Sequence, residues 1–332
     1  MKEIVKLTGT NDKINRSALI SAALLHFSAA AAGFIASKAV VLGNILPFGL
    51  SFLAGSSLTY TPAAAIGVFI GYFIPAVGSG GFRYVAAAFA IVAIKLLLGG
   101  FKKLSSNPVF LSFMTLLASF LTSAVTLSGL NFNFLSALAE SLLAAGGAFF
   151  ICRSFATFKN ATAGLESDEL VSLFVLIAIM MIGINGFRFN GISLGHITAI
   201  AVILTAAKYG GVPSGAICGT ATAFAMSLSG MSGEISVAYA FIGLMAGIFS
   251  SFGKYVQVSV PLIVGLLGSL ISKDPILISQ TVVETALGSA LFLTVPRKAG
   301  IRLGKIFSVY PKLVTPDGLK RSLSMRLDIA AN

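Results

Sequence analysis

Twelve apolar runs follow one another along 332 residues, at roughly 18–42, 44–59, 62–77, 82–99, 108–128, 133–153, 169–186, 192–208, 213–229, 234–252, 256–271 and 277–295. Short Gly, Pro, Asn or Lys breaks separate them. Only 10% of the residues are charged and the mean hydropathy is +0.95. A soluble domain carries about 25% charged residues. This pattern predicts an all-α, polytopic integral membrane protein. Several runs are shorter than the roughly 20 residues that cross a bilayer unaided. The pair meeting at Tyr60-Thr61-Pro62 and the pair meeting at Gly210-Gly211-Val212-Pro213 are each either two short spanning helices or one re-entrant hairpin. The expected count is therefore ten to twelve membrane segments.

The formal charge is +12, from 23 basic and 11 acidic residues. Eight of the basic residues lie between Arg297 and Arg326, and Lys2, Lys6, Lys13 and Arg16 precede the first run. Basic flanks of this kind fit cytoplasmic segments on an anionic leaflet rather than nucleic-acid binding. Lys102 and Lys103, Arg153 and Lys159, and the Arg297 cluster fall on alternate connections. They predict N-in/C-in topology, which survives the conversion of either short pair into a hairpin. Arg16 followed by SALISAALLHFSAAAAG has the layout of a signal peptide. Because apolar sequence fills the chain, it reads as an uncleaved first membrane helix.

The two halves echo each other. Asn44-Ile45-Leu46-Pro47-Phe48-Gly49 opens a short run in one, and Asn190-Gly191-Ile192-Ser193-Leu194-Gly195 opens its counterpart in the other. Each leads to a run begun by proline, at Pro62 and Pro213, and each half ends on a run carrying a glutamate followed by a hydroxyl, Glu140-Ser141 and Glu284-Thr285. The preserved order predicts a duplication with parallel halves, related by an axis along the membrane normal. The expected organisation is a cytoplasmic tail (1–17), membrane repeat one (18–153), a cytoplasmic connecting loop (154–168), membrane repeat two (169–295) and a basic cytoplasmic linker (296–332). Leu319, Leu323 and Leu327 recur every fourth residue in that linker, as in an amphipathic, signal-transmitting helix. The helix is cut short, which suggests a missing cytoplasmic part.

Glu140 and Glu284 are the residues most out of place. An acidic group at bilayer depth costs about 3 kcal/mol on insertion scales. It must face a polar cavity, find a partner or hold a proton. Glu140 and Glu284, with Ser141, Gln280 and Thr285 as hydrogen-bond partners, form a candidate buried polar site for an ion, a proton or a small ligand. If the two carboxyls approach closely, their protonation is coupled. The competing reading is structural: a glutamate that binds two helices together contributes about 1 kcal/mol. A packing relic is the third.

Other polar residues invite plainer readings. Lys95 lies near the end of its run and reads as a side chain snorkelling to the cytoplasmic surface with Lys102 and Lys103. Lys38, Arg83, Arg188, Lys208 and Lys254 sit at run edges as anchors. His26 reads as a packing residue, and His196 has no carboxylate at metal spacing. Cys152 and Cys218 read as small buried side chains. The sequence contains no phosphate-binding glycine loop, HExxH, GxSxG or clustered Asp set. No catalytic residue, metal ligand or cofactor is expected in this chain.

The basic N-terminus and first helix, then Ile45-Leu46-Pro47-Phe48-Gly49-Leu50-Ser51-Phe52, then short Gly/Ala-rich spans ending in a basic tail, resemble the N-terminal membrane region of the stage II sporulation protein E family. The resemblance covers about 18–320 and rests on Pro47, Phe48 and Gly49 together with the layout. The second half departs from it, with Ser193-Leu194-Gly195 at the comparable turn. The resemblance implies ten membrane helices, then a cytoplasmic region for self-association and contact with the tubulin-like division protein. A manganese-dependent, PP2C-type serine phosphatase that acts on the anti-anti-sigma factor at the asymmetric septum would come last. The metal-binding acids of that phosphatase have no counterpart here, so manganese belongs only to the absent domain. The expected function is membrane anchoring, septal localisation and assembly of a sporulation phosphatase. The alternatives are a transporter or small-ligand/ion channel centred on Glu140 and Glu284, and a non-enzymatic membrane scaffold.

Overall fold

A computed structural model describes residues 16–43, 45–74, 81–127, 133–160, 167–231, 233–272, 275–297 and 300. The described chain is almost wholly helical. In the first half α1 spans Arg16–Ser37, α2 Phe48–Gly55, α3 Thr61–Phe73, α4 Gly81–Leu97, the single-turn α5 Lys102–Ser105, α6 Pro108–Leu127 and α7 Phe134–Asn160. In the second, α8 spans Ser167–Asn185, α9 Leu194–Leu228, α10 Gly233–Ile248, α11 Lys254–Ser272 and α12 Pro275–Thr294. Two-residue strands β1 (Arg188–Phe189) and β2 (Ile192–Ser193) form a hairpin between α8 and α9. Among the described residues, eight helices are long and apolar enough to cross a membrane. The basic linker with Leu319, Leu323 and Leu327 lies outside the described residues.

The short paired runs resolve differently in the two halves. The run at 44–59 yields an α2 of 8 residues, all of them buried. At 1.5 Å per residue α2 is about 12 Å long, less than half the hydrocarbon thickness. Its backbone is shielded by protein on every side, the condition under which short helices persist at membrane depth. The runs at 192–208 and 213–229 belong to one 35-residue α9, which if straight would be about 52 Å long. It is not straight. Gly211 has φ 77°, and Pro213 follows. A Cβ at Gly215 would lie 3.2 Å from the Cα of Ala207, although eight residues of straight helix would separate them by about 12 Å. The segment therefore folds back into a hairpin of two half-helices, 194–210 and 212–228.

Both half-helices begin after the same kind of turn. Leu42 and Gly43 have φ 50° and 90°, and Asn190 and Gly191 have φ 51° and 84°. Consecutive left-handed residues reverse the chain tightly, a geometry that glycine and asparagine adopt at least cost. Val41 and Ile45 exchange backbone hydrogen bonds at 2.9 and 3.0 Å across the first turn, and β1 pairs with β2 across the second. The Leu42 amide donates to the Leu228 carbonyl at 3.0 Å, tying one half to the other.

The packing scheme also recurs. In the first half α1 packs on α3, α2 on α7, α4 on α3 and α6, and α6 on α7. In the second, α8 and α10 pack on α9, α12 on α9, and α11 on both α10 and α12. Each half has its own apolar core. One gathers Leu50, Phe52, Leu53, Val68, Ile91 and Ile151. The other gathers Ile200, Ile203, Leu204, Tyr239, Ile242 and Phe292. The gap between α8 and the second half of α9, lined by Phe174, Met181, Cys218 and Thr222, is too narrow to admit water.

Candidate functional site

The two buried glutamates sit where half-helices begin, and each is engaged within its own half of the chain. In the first half, α2 starts at Pro47, whose imide nitrogen has no proton to satisfy. Two tyrosines serve the neighbouring backbone. The Tyr72 hydroxyl donates to the Leu46 carbonyl at 2.9 Å and accepts from the Leu50 amide at 3.1 Å. The Tyr84 hydroxyl accepts from the Leu46 amide at 3.0 Å and from Arg83 Nη2 at 2.7 Å. The two rings stack at 5.2 Å between centroids. Arg83 Nη2 also lies 3.1 Å from Glu140 Oε2. Glu140 is 1% exposed, whereas the Arg83 side chain keeps 19% of its surface. The buried Arg83 Nε and Glu140 Oε1 have no protein partner.

The opposite end of α2 is closed by Lys95 of α4, which is 1% exposed. Its ammonium donates to the carbonyls of Leu53, Ala54 and Ser56 at 2.9, 3.1 and 2.5 Å and to Ser56 Oγ at 3.3 Å. The last carbonyls of a helix have no intrahelical donor and carry the negative end of its dipole. A cation there satisfies both demands. The expectation that Lys95 snorkels to the surface is thus corrected: the unsatisfied end of a buried half-helix holds it inside.

In the second half, Ser193 is the N-cap of α9, and its Oγ accepts from the Gly195 and His196 amides at 3.2 and 3.5 Å. The Ser193 hydroxyl donates to Asn185 Oδ1 at 2.6 Å, and Asn185 Nδ2 donates to Ser229 Oγ at 3.1 Å. Glu284 reaches in from α12. Its Oε1 accepts from the Ser193 amide at 2.6 Å, and its Oε2 lies 2.7 Å from His196 Nδ1. A carboxylate beside a helix N-terminus is stabilised by the free amides and the dipole. The His196 ring lies 6.2 Å from that of Tyr239, and its Nε2 is buried without a partner.

Both carboxyls are buried, but the hydroxyls next to them in sequence are not their partners. The Ser141 hydroxyl donates to Ala137 O at 2.6 Å and the Thr285 hydroxyl to Thr281 O at 2.8 Å, each within its own helix. Gln280 lies against the β1–β2 turn, its Nε2 2.6 Å from where a Cβ on Gly191 would stand. The partners are instead Arg83, expected as an edge anchor, and His196, which has no carboxylate at metal spacing in the sequence. Glu284 lies 88 residues from His196 in sequence, so no local spacing signals the pair. Gly49 and Gly195, the glycines of the two opening motifs, press against Tyr72 and Asn185, and Phe48 is buried beside Pro47. Among the described residues, no group of three or more His, Cys, Asp or Glu is placed to hold a metal ion.

Comparison with known proteins places this architecture. Residues 2–303 match the family described as "SpoIIE, N-terminal domain". The chain belongs to that family. Stage II sporulation protein E of Bacillus subtilis (strain 168) is 25% identical over 288 residues, covering 80% of this chain and 33% of that protein. The chain thus spans about a third of the length of this curated relative. No solved structure matches. In this SpoIIE N-terminal domain the Pro47-Phe48-Gly49 motif acquires a structural role, as the start of a buried half-helix.

Removing the Arg83 charge tests the first cluster. Arg83→Met leaves the Glu140 carboxylate buried without its cation, and a loss of about 2 kcal/mol is expected. That figure is below the range for fully buried pairs because Arg83 is partly exposed. Adding Glu140→Leu should restore much of the stability, since an apolar replacement of both partners leaves no unpaired charge. Thermal unfolding of the detergent-solubilised single and double variants measures both effects. An additive loss in the double variant would contradict the pairing.

Proposed function

We propose that this domain is the membrane-anchoring, septum-localising and assembling part of a sporulation serine phosphatase, whose catalytic portion lies outside this chain. Family membership and an interior of closely packed apolar helices support this reading. The relative's greater length accommodates further domains. The attached enzyme would be of the manganese-dependent PP2C type and would meet the anti-anti-sigma factor and the tubulin-like division protein through its cytoplasmic portion. The two halves are read as products of duplication, on the strength of their matching turns and packing schemes. The orientation is read as N-in/C-in: Lys208 Nζ reaches Ser250 O and Lys254 Nζ reaches Val295 O at the end of the bundle that also carries Lys103 and Arg153. Basic residues gathered at that end fit the cytoplasmic leaflet. Leu319, Leu323 and Leu327 would begin the helix that carries position or packing state to the attached enzyme.

Anchoring is favoured over transport because both buried carboxyls are engaged by protein partners, Arg83 and His196, within their own halves. In this reading Glu140 and Glu284 act as interhelical ties. The test is localisation. This chain fused to a fluorescent protein should concentrate at the asymmetric septum of sporulating cells, whereas uniform membrane labelling would overturn the septal assignment.

A further inference from the structure

The two ties differ in one chemical respect. Glu140 is paired with a guanidinium, which stays charged throughout the physiological range. Glu284 is paired with an imidazole, the side-chain type that ordinarily gains and loses its charge there. The cation of the first tie is therefore fixed, while that of the second belongs to a side-chain type that can change its charge. We propose that Glu284 and His196 form a proton-operated latch that sets how firmly the start of α9 is held to α12.

The surroundings isolate the pair. Glu284 is the single charged residue of α12. On α9 His196 faces it. On α10 the nearest titratable side chain is Tyr239, and Ser236, one turn earlier, has a buried hydroxyl without a partner. α8 offers the neutral Asn185, its Asp168 and Glu169 lying in the first turn at the opposite end. Arg188 on β1 pairs across the hairpin with Ser193 and is exposed. Lys254 and Tyr255 of α11 lie at the far end, where Lys254 bonds Val295 O. The side chains of Glu234, Lys273 and Asp274 lie outside the described residues.

The direction follows from charge. With the imidazole protonated, Glu284 holds an ion pair and the Ser193 amide together, in surroundings of low dielectric. Once that proton is lost, the buried carboxylate keeps only neutral donors. The closed latch binds one more proton than the open one, so acid closes it and alkali loosens it. The Ser193 amide, which shares the carboxylate, and through it Asn185 and the end of α8 are the groups that feel the change. α12 is the helix that leads into the basic linker, so the latch lies directly upstream of any attached domain. That consequence rests on the anchoring function proposed above, whereas the latch itself can be tested in this chain alone.

Hydrogen exchange of the 332-residue chain in lipid nanodiscs provides the test. As the pH is raised across neutrality, protection of segment 190–198, corrected for intrinsic exchange, should fall. Segment 45–50, held by the Arg83–Glu140 cluster, should stay level. His196→Gln and Glu284→Gln should abolish the step. A wild-type segment 190–198 that does not respond to pH, or a step that persists in His196→Gln, overturns the latch. If a variant fails to fold, the nitrogen resonances of the wild-type His196 imidazole decide. A His196 ring in one protonation state across the range overturns it, and one that titrates together with segment 190–198 upholds it. Failure of septal localisation would leave these readings unchanged.

Discussion

A valine at Gly67 is expected to prevent α1 from closing on α3. The two helices run side by side with almost no space between their backbones. A Cβ at Gly67 would stand far inside van der Waals contact with the Ala30 carbonyl oxygen and 3.0 Å from the Phe34 nitrogen. Both obstacles are backbone, so no side-chain rotation relieves them. In lipid, helix association draws on this close packing, because burying apolar surface against apolar tails contributes little. Substitution to valine should therefore destabilise by about 4 kcal/mol or more, at the upper end for a single replacement. The same change at Gly146, where nothing lies within 4 Å, should be nearly neutral. Yield and thermal stability of the solubilised variants provide the comparison. A Gly67→Val protein as stable as the Gly146→Val protein would refute the α1–α3 packing.

Replacing Lys95 by methionine is expected to release the hairpin formed by α2 and α3. Methionine fills much of the lysine's volume but offers no donor, so three carbonyls and the Ser56 hydroxyl lose their shared partner. Each unsatisfied buried acceptor costs about 1–3 kcal/mol. Relief from burying the ammonium offsets part of that, and a net loss of about 3 kcal/mol is expected. The damage should be local. Hydrogen exchange should show lost protection across 48–56, while segment 194–204 in the second half keeps its own. There Gln257 Nε2 performs a comparable service for the Leu204 and Ala246 carbonyls, at 3.1 and 3.2 Å. Unchanged protection at 48–56 would mean that Lys95 does not hold the end of α2.

Much of this was legible from residue order. The helical membrane class followed from the apolar runs, and most helices lie within a few residues of the runs that announced them. The tight turns themselves fall a few residues earlier, at Leu42–Gly43 and Asn190–Gly191, while Pro47, Phe48, Gly49 and Gly195 open the helices that follow. The fate of the short runs was not legible, because 44–59 and 192–208 look alike in hydropathy. One yields an eight-residue helix and the other the first part of a bent one. The difference depends on what surrounds them. α2 is enclosed on every side, and Lys95 stops it after two turns. At the carboxyls, adjacent residues suggested Ser141 and Thr285, but a hydroxyl on a helix most readily reaches the carbonyl one turn back.

Sequence alone determined that this chain is a bundle of membrane helices and that two carboxyls stand within its apolar runs. These properties are local or additive: hydropathy sums along a run, and a charge in lipid is conspicuous wherever it stands. Tertiary structure alone decided that Arg83 answers Glu140, that His196 answers Glu284 and that Lys95 turns inward. Those choices depend on which helices touch and at what height. Close packing between segments dozens of residues apart sets that geometry, and no periodicity within a single segment records it.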